Sequence, residues 1–473
     1  MISLSLRPGP VHAACESRGR WSFGLTARSI GLLTAGFFLV IPGFWESRLS
    51  YGMLVWDGLV LLAALLDGMR LPAASQLSAS RSWSNAPALD SETEVELTLE
   101  NQGRIIVHCR LEDDMPPALT AEPAVHRLIA FPRVPARLRY RMEPQERGDC
   151  ETGELYVRYR SPLGLTERWA KAALVQRVRV YPALRTTEEQ QILLARSRQI
   201  DLQLRQARQR GLGRDFESLR EYREGDDLRD ICWTATARRG GLITRQYQTE
   251  RSQPVWIVLD CGRLMRSRVG AFRSDAGAPS RMGSRVHSKL DHACSTAVAL
   301  AQLALYSGDR VGLLAYGQGI QQRLLPGRGS DHLRQLIELV AQVRSEASEA
   351  DHLRATTVLN RLQPRRALIL WITDLAESAM RPEVIDGAVQ LLRRHVLLFV
   401  AMAQPEIEVI ARARPGNLEQ MFRSTAAQEM AGRRELLLAR LHEQGALTLD
   451  LNPEALTSSV LNQYLTVKER AMV

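Results

Sequence analysis

From residue 255 onward the chain alternates short, almost wholly apolar runs with helical patterns, and that alternation leaves few architectures open to it. The runs are Val255–Asp260, Arg310–Tyr316, Ala367–Asp374, His395–Met402 and Ala446–Leu451, all rich in Val, Ile and Leu. Helical patterns at Leu290–Tyr306, Asp331–Val343 and His352–Leu362 fall between them, and Pro453 marks the start of a last helix. Strands that are apolar on both faces belong to a parallel sheet covered by helices on each side. Residues 250–473 are therefore expected to form an α/β, Rossmann-like domain. At roughly 100–200 residues per domain, a chain of 473 residues holds two to four units, so other folds must precede this one.

Residues 73–184 change period. Short strand-like runs such as Val95–Leu99, Ile105–Cys109 and Leu155–Tyr159 are separated by turn signals at Asn101-Gln102-Gly103, Arg147-Gly148-Asp149 and Ser161-Pro162-Leu163-Gly164. About six to eight strands in this span predict an all-β sandwich.

Residues 1–72 carry two apolar segments, Ile30–Trp45 and Met53–Leu66. Each is shorter than the roughly 20 residues that span a bilayer, and Asp57 interrupts the second. A buried helical hairpin of a soluble domain is one reading. The other, preferred here, is an N-terminal tail followed by a transmembrane helical hairpin, with residues 30–66 in the lipid bilayer and tryptophans near the helix ends. Arg7, Arg18, Arg20 and Arg28 precede the pair, Arg70 and Arg81 follow it, and the turn holds only Arg48 beside Glu46. The positive-inside rule then places both termini and the soluble domains in the cytoplasm, at an inner membrane. Six scattered cysteines without metal-ligand spacing fit a reducing compartment; Cys15 is read as an ordinary residue.

A net charge of +10 raises the question of nucleic acid. The cations are nearly all arginine, with Lys171, Lys289 and Lys468 as the three lysines, and they alternate with acids along the chain. With no basic block interleaved with aromatics, a nucleic-acid partner is not expected.

Residues 185–249 are charge-dense, with a helix expected near Glu188–Gln209. They continue into Gly213-Arg214-Asp215-Phe216-Glu217-Ser218-Leu219-Arg220-Glu221-Tyr222-Arg223-Glu224-Gly225-Asp226-Asp227-Leu228-Arg229-Asp230-Ile231-Cys232-Trp233, then Thr236-Ala237-Arg238 and Tyr247–Arg251. This stretch closely resembles the signature of the domain-of-unknown-function 58 family, MoxR-associated membrane proteins of bacterial type. The resemblance implies that the α/β domain is von Willebrand factor A-like and that the chain works with an AAA+ ATPase of the MoxR type, as a non-catalytic scaffold or adaptor in chaperone or assembly work. Asp215, Phe216, Arg220, Tyr222, Gly225, Asp226, Asp227, Arg229, Trp233 and Arg238 are the signature or partner-binding candidates. The chain itself has no GxxxxGK[ST] loop, so any ATP chemistry belongs to a partner.

Von Willebrand A-like domains commonly hold Mg²⁺ or Mn²⁺ through Asp-x-Ser-x-Ser, a Thr and a second Asp, oxygen ligands suited to a hard cation. Here the motif reads Asp260-Cys261-Gly262-Arg263-Leu264, and Thr373-Asp374 ends a later strand. Asp260, Thr373 and Asp374 thus make a degenerate adhesion-type metal site, or else they bond loop amides and Arg263. No other cofactor is expected. The acids Asp215, Glu217, Asp226, Asp227 and Asp230 admit an alternative, a metal-dependent hydrolase centred on Asp226 and Asp227. Arg214, Arg220, Arg223 and Arg229 beside them favour a salt-bridge clamp. No Gly-x-Ser-x-Gly elbow marks a nucleophile. Trp233, Trp256 and Trp371 are expected in the core. The Ser/Arg/Gly-rich segment 266–289 reads as a loop insertion after the first α/β strand, either disordered or a partner contact.

Overall fold

The structure is a computed structural model that describes residues 6–17, 19, 22–38, 51–122, 125–183, 192–193, 195, 215–223, 228, 231–248, 253–269, 287–375 and 383–470. It contains two compact units, residues 1–183 and 184–473.

The first unit opens with β1 (Val11–Ser17) and β2 (Phe23–Leu25), then helices α1 (Ala27–Phe37) and α2 (Tyr51–Arg70). The tail, expected only to lead into the apolar segments, is therefore part of the β architecture. Strands β3 (Leu77–Trp83), β4 (Thr93–Asn101), β5 (Val107–Asp113), β6 (Leu119–Glu122), β7 (Val125–Ala130), β8 (Ala136–Pro144), β9 (Gly148–Thr152), β10 (Leu155–Arg160), β11 (Thr166–Ala172) and β12 (Gln176–Val180) follow. The main sheet runs β6-β8-β4-β3-β1-β11-β10-β5-β7, with β2 beside β11 and β9 paired with β12. All of its pairings are antiparallel, and β1 joins the two halves: Val11–Ala14 pairs with β3 and Cys15–Ser17 with β11. Alternate residues of β3, β4 and β10 point inward. Leu77, Val95 and Leu97 from one half share a core with Leu111, Val157 and Ala172 from the other. Cys15 lies in this core, where burial pushes its thiol up to about 12, as it does that of Cys109. Among the described residues no disulfide joins any of the six cysteines.

The first apolar segment is helical over α1; residues 39–50, including its end and the turn, lie outside the described residues. Among the described residues one helix, α2, is long and apolar enough to cross a membrane. Both helices are planted on the Ser161–Thr166 loop, the turn signal noted above. Thr26 Oγ1 donates to the Gly164 carbonyl at 2.6 Å and Ser29 Oγ to that of Leu165 at 2.7 Å. From α2, the buried Asp67 carboxylate accepts from Ser161 Oγ at 2.5 Å, from the Leu165 and Thr166 amides, and from Thr166 Oγ1. Gly164 takes the left-handed conformation that closes this turn (φ +69°). Higher up, Trp56 Nε1 donates to the Leu32 carbonyl across the pair at 2.9 Å.

In the second unit β13 (Asp215–Glu221), α3 (Trp233–Arg239) and β14 (Ile243–Gln248) form a hairpin flanking a short helix. Then come β15 (Pro254–Asp260), the short pair β16 (Arg268–Val269) and β17 (His287–Ser288), and α4 (Lys289–Tyr306). They are followed by β18 (Arg310–Tyr316), β19 (Ile320–Gly327), α5 (Gly329–Gln342), α6 (His352–Leu362), β20 (Leu368–Thr373) and α7 (Glu383–Leu392). The chain closes with β21 (Val396–Met402), α8 (Pro405–Arg412), α9 (Leu418–Glu443), β22 (Leu447–Leu451) and α10 (Leu456–Glu469). The sheet order is β19-β18-β15-β20-β21-β22, and every pairing is parallel except β18 with β19.

This is the doubly wound arrangement expected of a von Willebrand factor A-like domain, with the strand order reversing at β15. β15, β18, β20 and β21 are buried along almost their whole length, as their composition requires. The antiparallel edge strand β19 and helices α8 and α9 were not legible. β19 is half-exposed and mixes Gln321, Gln322 and Arg323 with Leu324 and Leu325, so neither period stands out. Trp256 and Trp371 fill the core, but Trp233 is 65% exposed on α3 and corrects the expectation that it is buried. The helix expected at 188–209 falls almost entirely outside the described residues.

Candidate functional site at the strand ends

At a topological switch point the carboxyl ends of neighbouring strands open a crevice, the usual ligand site of doubly wound sheets. β15 and β20 are those neighbours, and they deliver Asp260 and Thr373-Asp374 side by side. The three residues picked from the sequence are thus brought together. Thr373 Oγ1 donates to Asp260 Oδ2 at 2.6 Å, and the Gly262 amide donates to Asp260 Oδ1 at 2.7 Å. Burial pushes the Asp260 carboxyl above its usual range, against the pull of His352 and of these two hydrogen bonds.

Asp374 takes cationic partners. Lys289 Nζ lies 2.5 Å from its Oδ2, both side chains being almost fully buried. Arg434 of α9 approaches Oδ1 at 3.5 Å and also pairs with Asp450 of β22 at 2.7 Å. Gln404, the residue before α8, donates to Oδ2 at 3.4 Å. Burial pushes the Lys289 ammonium down, and Asp374 opposes that shift. Lys289 was read as the last residue of the 266–289 insertion; it is instead the first residue of α4. A capping box fixes this start: Ser288 accepts from the Asp291 amide, and the Asp291 carboxylate accepts from the Ser288 amide at 3.1 Å. Residues 270–286 of that insertion lie outside the described residues.

The loop after β15 is stitched to the segment before α6. The Cys261 carbonyl accepts from the Glu346 amide at 2.7 Å, and the Arg263 amide donates to Ser348 at 2.9 Å. Glu346 gathers the Gln318 amide, Gln321 and Ser348, which hold its carboxyl below the usual range. Behind them Trp371 Nε1 donates to Tyr316 Oη at 2.7 Å, and Tyr316 Oη meets His352 Nδ1 at 2.9 Å. Since indole N–H only donates, the Tyr316 proton is left for His352. A small cavity of about 40 Å³ lies among Asp260, Arg263, His352, Asp374 and Glu383. An open groove of about 820 Å³ adjoins it, lined by Gln318, Glu349, Asp351, Arg354 and Glu383. Among the described residues no group of three His, Cys, Asp or Glu is placed to hold a metal ion.

A family model matches part of this unit. Residues 218–410 match the family model described as "Protein of unknown function DUF58", which runs from within β13 to α8. Uncharacterized proteins of Mycobacterium bovis and Mycobacterium tuberculosis are 25% identical over 199 residues, 41% of this chain and 56% of each relative. The chain thus spans little more than half the length of those relatives. Among solved structures, BatB from Bacteroides thetaiotaomicron is similar over 46% of this chain and 100% of its own length, with 13% identity and TM-score 0.28. A von Willebrand factor type A protein from Catenulispora acidiphila is similar over 47% of this chain and 43% of its own, with 13% identity and TM-score 0.27.

The DUF58 signature candidates are only partly placed. Gly225, Asp226, Asp227 and Arg229 lie outside the described residues, so the carboxylates of the hydrolase alternative have no geometry here. Asp215 and Phe216 belong to β13, of which only the backbone is described at those positions. Arg220 and Tyr222 are half-buried, and Trp233 and Arg238 are exposed on α3. The sequence reading missed Lys289, Arg434, Gln404, Tyr316 and His352. A signal did exist for Lys289: it is one of three lysines in a chain that otherwise uses arginine.

Proposed function

We propose that this chain is a membrane-anchored, non-catalytic adaptor that binds proteins through the strand-end loops of its DUF58 α/β domain. In this reading it serves a MoxR-type AAA+ ATPase in chaperone or complex-assembly work. The observation that carries the reading is the commitment of the strand-end acids. Asp260 and Asp374 spend their oxygens on Thr373, Gly262, Lys289, Arg434 and Gln404, while the loops around them frame an open groove. Loops held by a rigid sheet at this face are where such folds engage ligands. The ATPase partner follows from the family resemblance.

Anchoring at an inner membrane, with the domains in the cytoplasm, is supported by α2 and by the helix feet. The start of α1 and the end of α2 both bond the Ser161–Thr166 loop, so the apolar stretch leaves and returns at one place. The arginines on either side of it match the positive-inside rule.

Affinity isolation of the full chain from native membranes, in ATP and in ADP, tests the adaptor reading. An AAA+ ATPase should be retained in at least one nucleotide state; its absence from both overturns the partner assignment. Metal-dependent hydrolysis by the purified chain, lost in Asp227→Ala, would overturn the non-catalytic assignment.

A further inference from the structure

We infer that the strand-end cation site of this domain is filled from within, by the Lys289 ammonium, and is not built for a divalent ion. Three observations meet here. Lys289 Nζ sits 2.5 Å from Asp374 Oδ2 with both side chains almost fully buried, so the carboxylate oxygen that a cation would seek already faces a positive charge. Arg434 approaches the other oxygen at 3.5 Å, giving Asp374 a second cation from a different helix.

The hydroxyl positions of the motif are also closed by geometry. Gly262 occupies the first of them, where a Cβ would come 2.9 Å from the Ala350 amide nitrogen and 3.1 Å from Asp260 Oδ1. The clash is with backbone, which cannot swing away as a side chain can. Its amide meanwhile donates to the same carboxylate oxygen at 2.7 Å. Leu264 stands at the second position and brings no ligand atom.

The third observation is the residue chosen. An ammonium is a compact point charge with three donors, whereas the guanidinium is a wide planar fork. The chain uses arginine for almost every exposed cation and lysine here, at the N-terminus of α4, in a space almost closed to solvent. A small, rounded cation is the closest side-chain counterpart of a bound metal ion. The consequence is a face whose charge balance is built in and does not vary with the supply of divalent ions.

Thermal unfolding of the full chain in detergent, in EDTA and in MnCl₂ or MgCl₂, tests this without reference to any partner. The wild-type midpoint should be the same in EDTA and in Mn²⁺. Lys289→Ala removes the ammonium and leaves Asp374, Thr373 and Asp260 around the space. Its midpoint should be lower than wild type in EDTA and rise by a few °C in saturating Mn²⁺. That rise should vanish in Lys289→Ala combined with Asp374→Asn. A wild-type midpoint that climbs with Mn²⁺ and stops doing so in Asp374→Asn overturns the inference, as does a Lys289→Ala protein indifferent to Mn²⁺. Should Lys289→Ala fail to fold, electron paramagnetic resonance of Mn²⁺ with wild type and Asp374→Asn decides. Equal binding supports the internal cation, and loss of a bound ion in Asp374→Asn overturns it.

Discussion

In the β unit, Asp113 is buried under Arg81, whose guanidinium also donates to Thr152 Oγ1 at 2.7 Å and to the Leu174 carbonyl at 2.9 Å. Tyr140 Oη donates to the same carboxylate at 2.6 Å. In the α/β unit, Asp374 is buried under Lys289 and flanked by Arg434 and Gln404. Both acids are closed to water and both are paired, yet they do different work. Arg81 lies on β3 and Asp113 on β5, which belong to opposite halves of the sheet, and the planar fork is used along several directions at once to fasten one half to the other. Lys289 faces a carboxylate at a strand end, where a point charge neutralises the acid and leaves the surrounding loops open. A buried ion pair in the middle of a core is a fastening; one at a switch point sets the charge of a face.

Removing each cation in turn separates the two roles. Arg81→Ala leaves Asp113 buried without a counter-charge and should cost about 3–5 kcal/mol, read by urea unfolding of the full chain. Replacing both partners, with Arg81→Met and Asp113→Leu, should cost clearly less, because no uncompensated charge is then left behind. Lys289→Ala should cost less than Arg81→Ala, about 2 kcal/mol, since Arg434 and Gln404 still serve Asp374. Equal losses at the two sites would erase the distinction between a fastening and a face.

Among the described residues, a third buried acid has no cation among its hydrogen-bond partners. Asp67 is held by hydroxyls and amides of the Ser161–Thr166 loop rather than by a cation. Asp67→Ala should strip three or more hydrogen bonds at once and cost about 1–3 kcal/mol, with faster proteolysis near residue 163 as the direct readout. The smallest effect concerns His395, which is buried before β21 with neither ring nitrogen bonded among the described residues. Burial and the neighbouring Arg394 hold it below its ordinary value of 6.5. The unfolded chain then takes up a proton near that value while the folded chain does not, so stability should fall as pH drops below 6.5. His395→Leu should flatten that part of the pH profile, and an unchanged slope would show that other groups set it.

What could be read from the sequence differs between the units for the same physical reason. β15, β18, β20 and β21 are apolar on both faces and declare themselves as runs, so these four strands were legible nearly residue by residue. β1 was not: in Val11-His12-Ala13-Ala14-Cys15-Glu16-Ser17 only Val11, Ala13 and Cys15 face inward, too little apolar contrast to signal a strand. At the site, Asp260, Thr373 and Asp374 were found because strand ends can be located. Lys289 and Arg434 were not, because 85 and 60 residues separate them from Asp374 and only the fold brings them together. Lys171 pairs with Glu154 at 2.8 Å, Lys289 with Asp374 at 2.5 Å and Lys468 with Asp309 at 3.1 Å. Every lysine of this arginine-rich chain is thus matched to a specific acid.

The strand-end loops of the α/β domain are proposed to receive a protein partner. A photo-crosslinking residue placed at Glu349, in the groove, or at Tyr306, exposed at the end of α4 that lies away from the strand ends, tests it in native membranes. Protein adducts are expected at position 349, including one with the mass of an AAA+ ATPase, and few or none at 306. Adducts at 306 with none at 349 would contradict it.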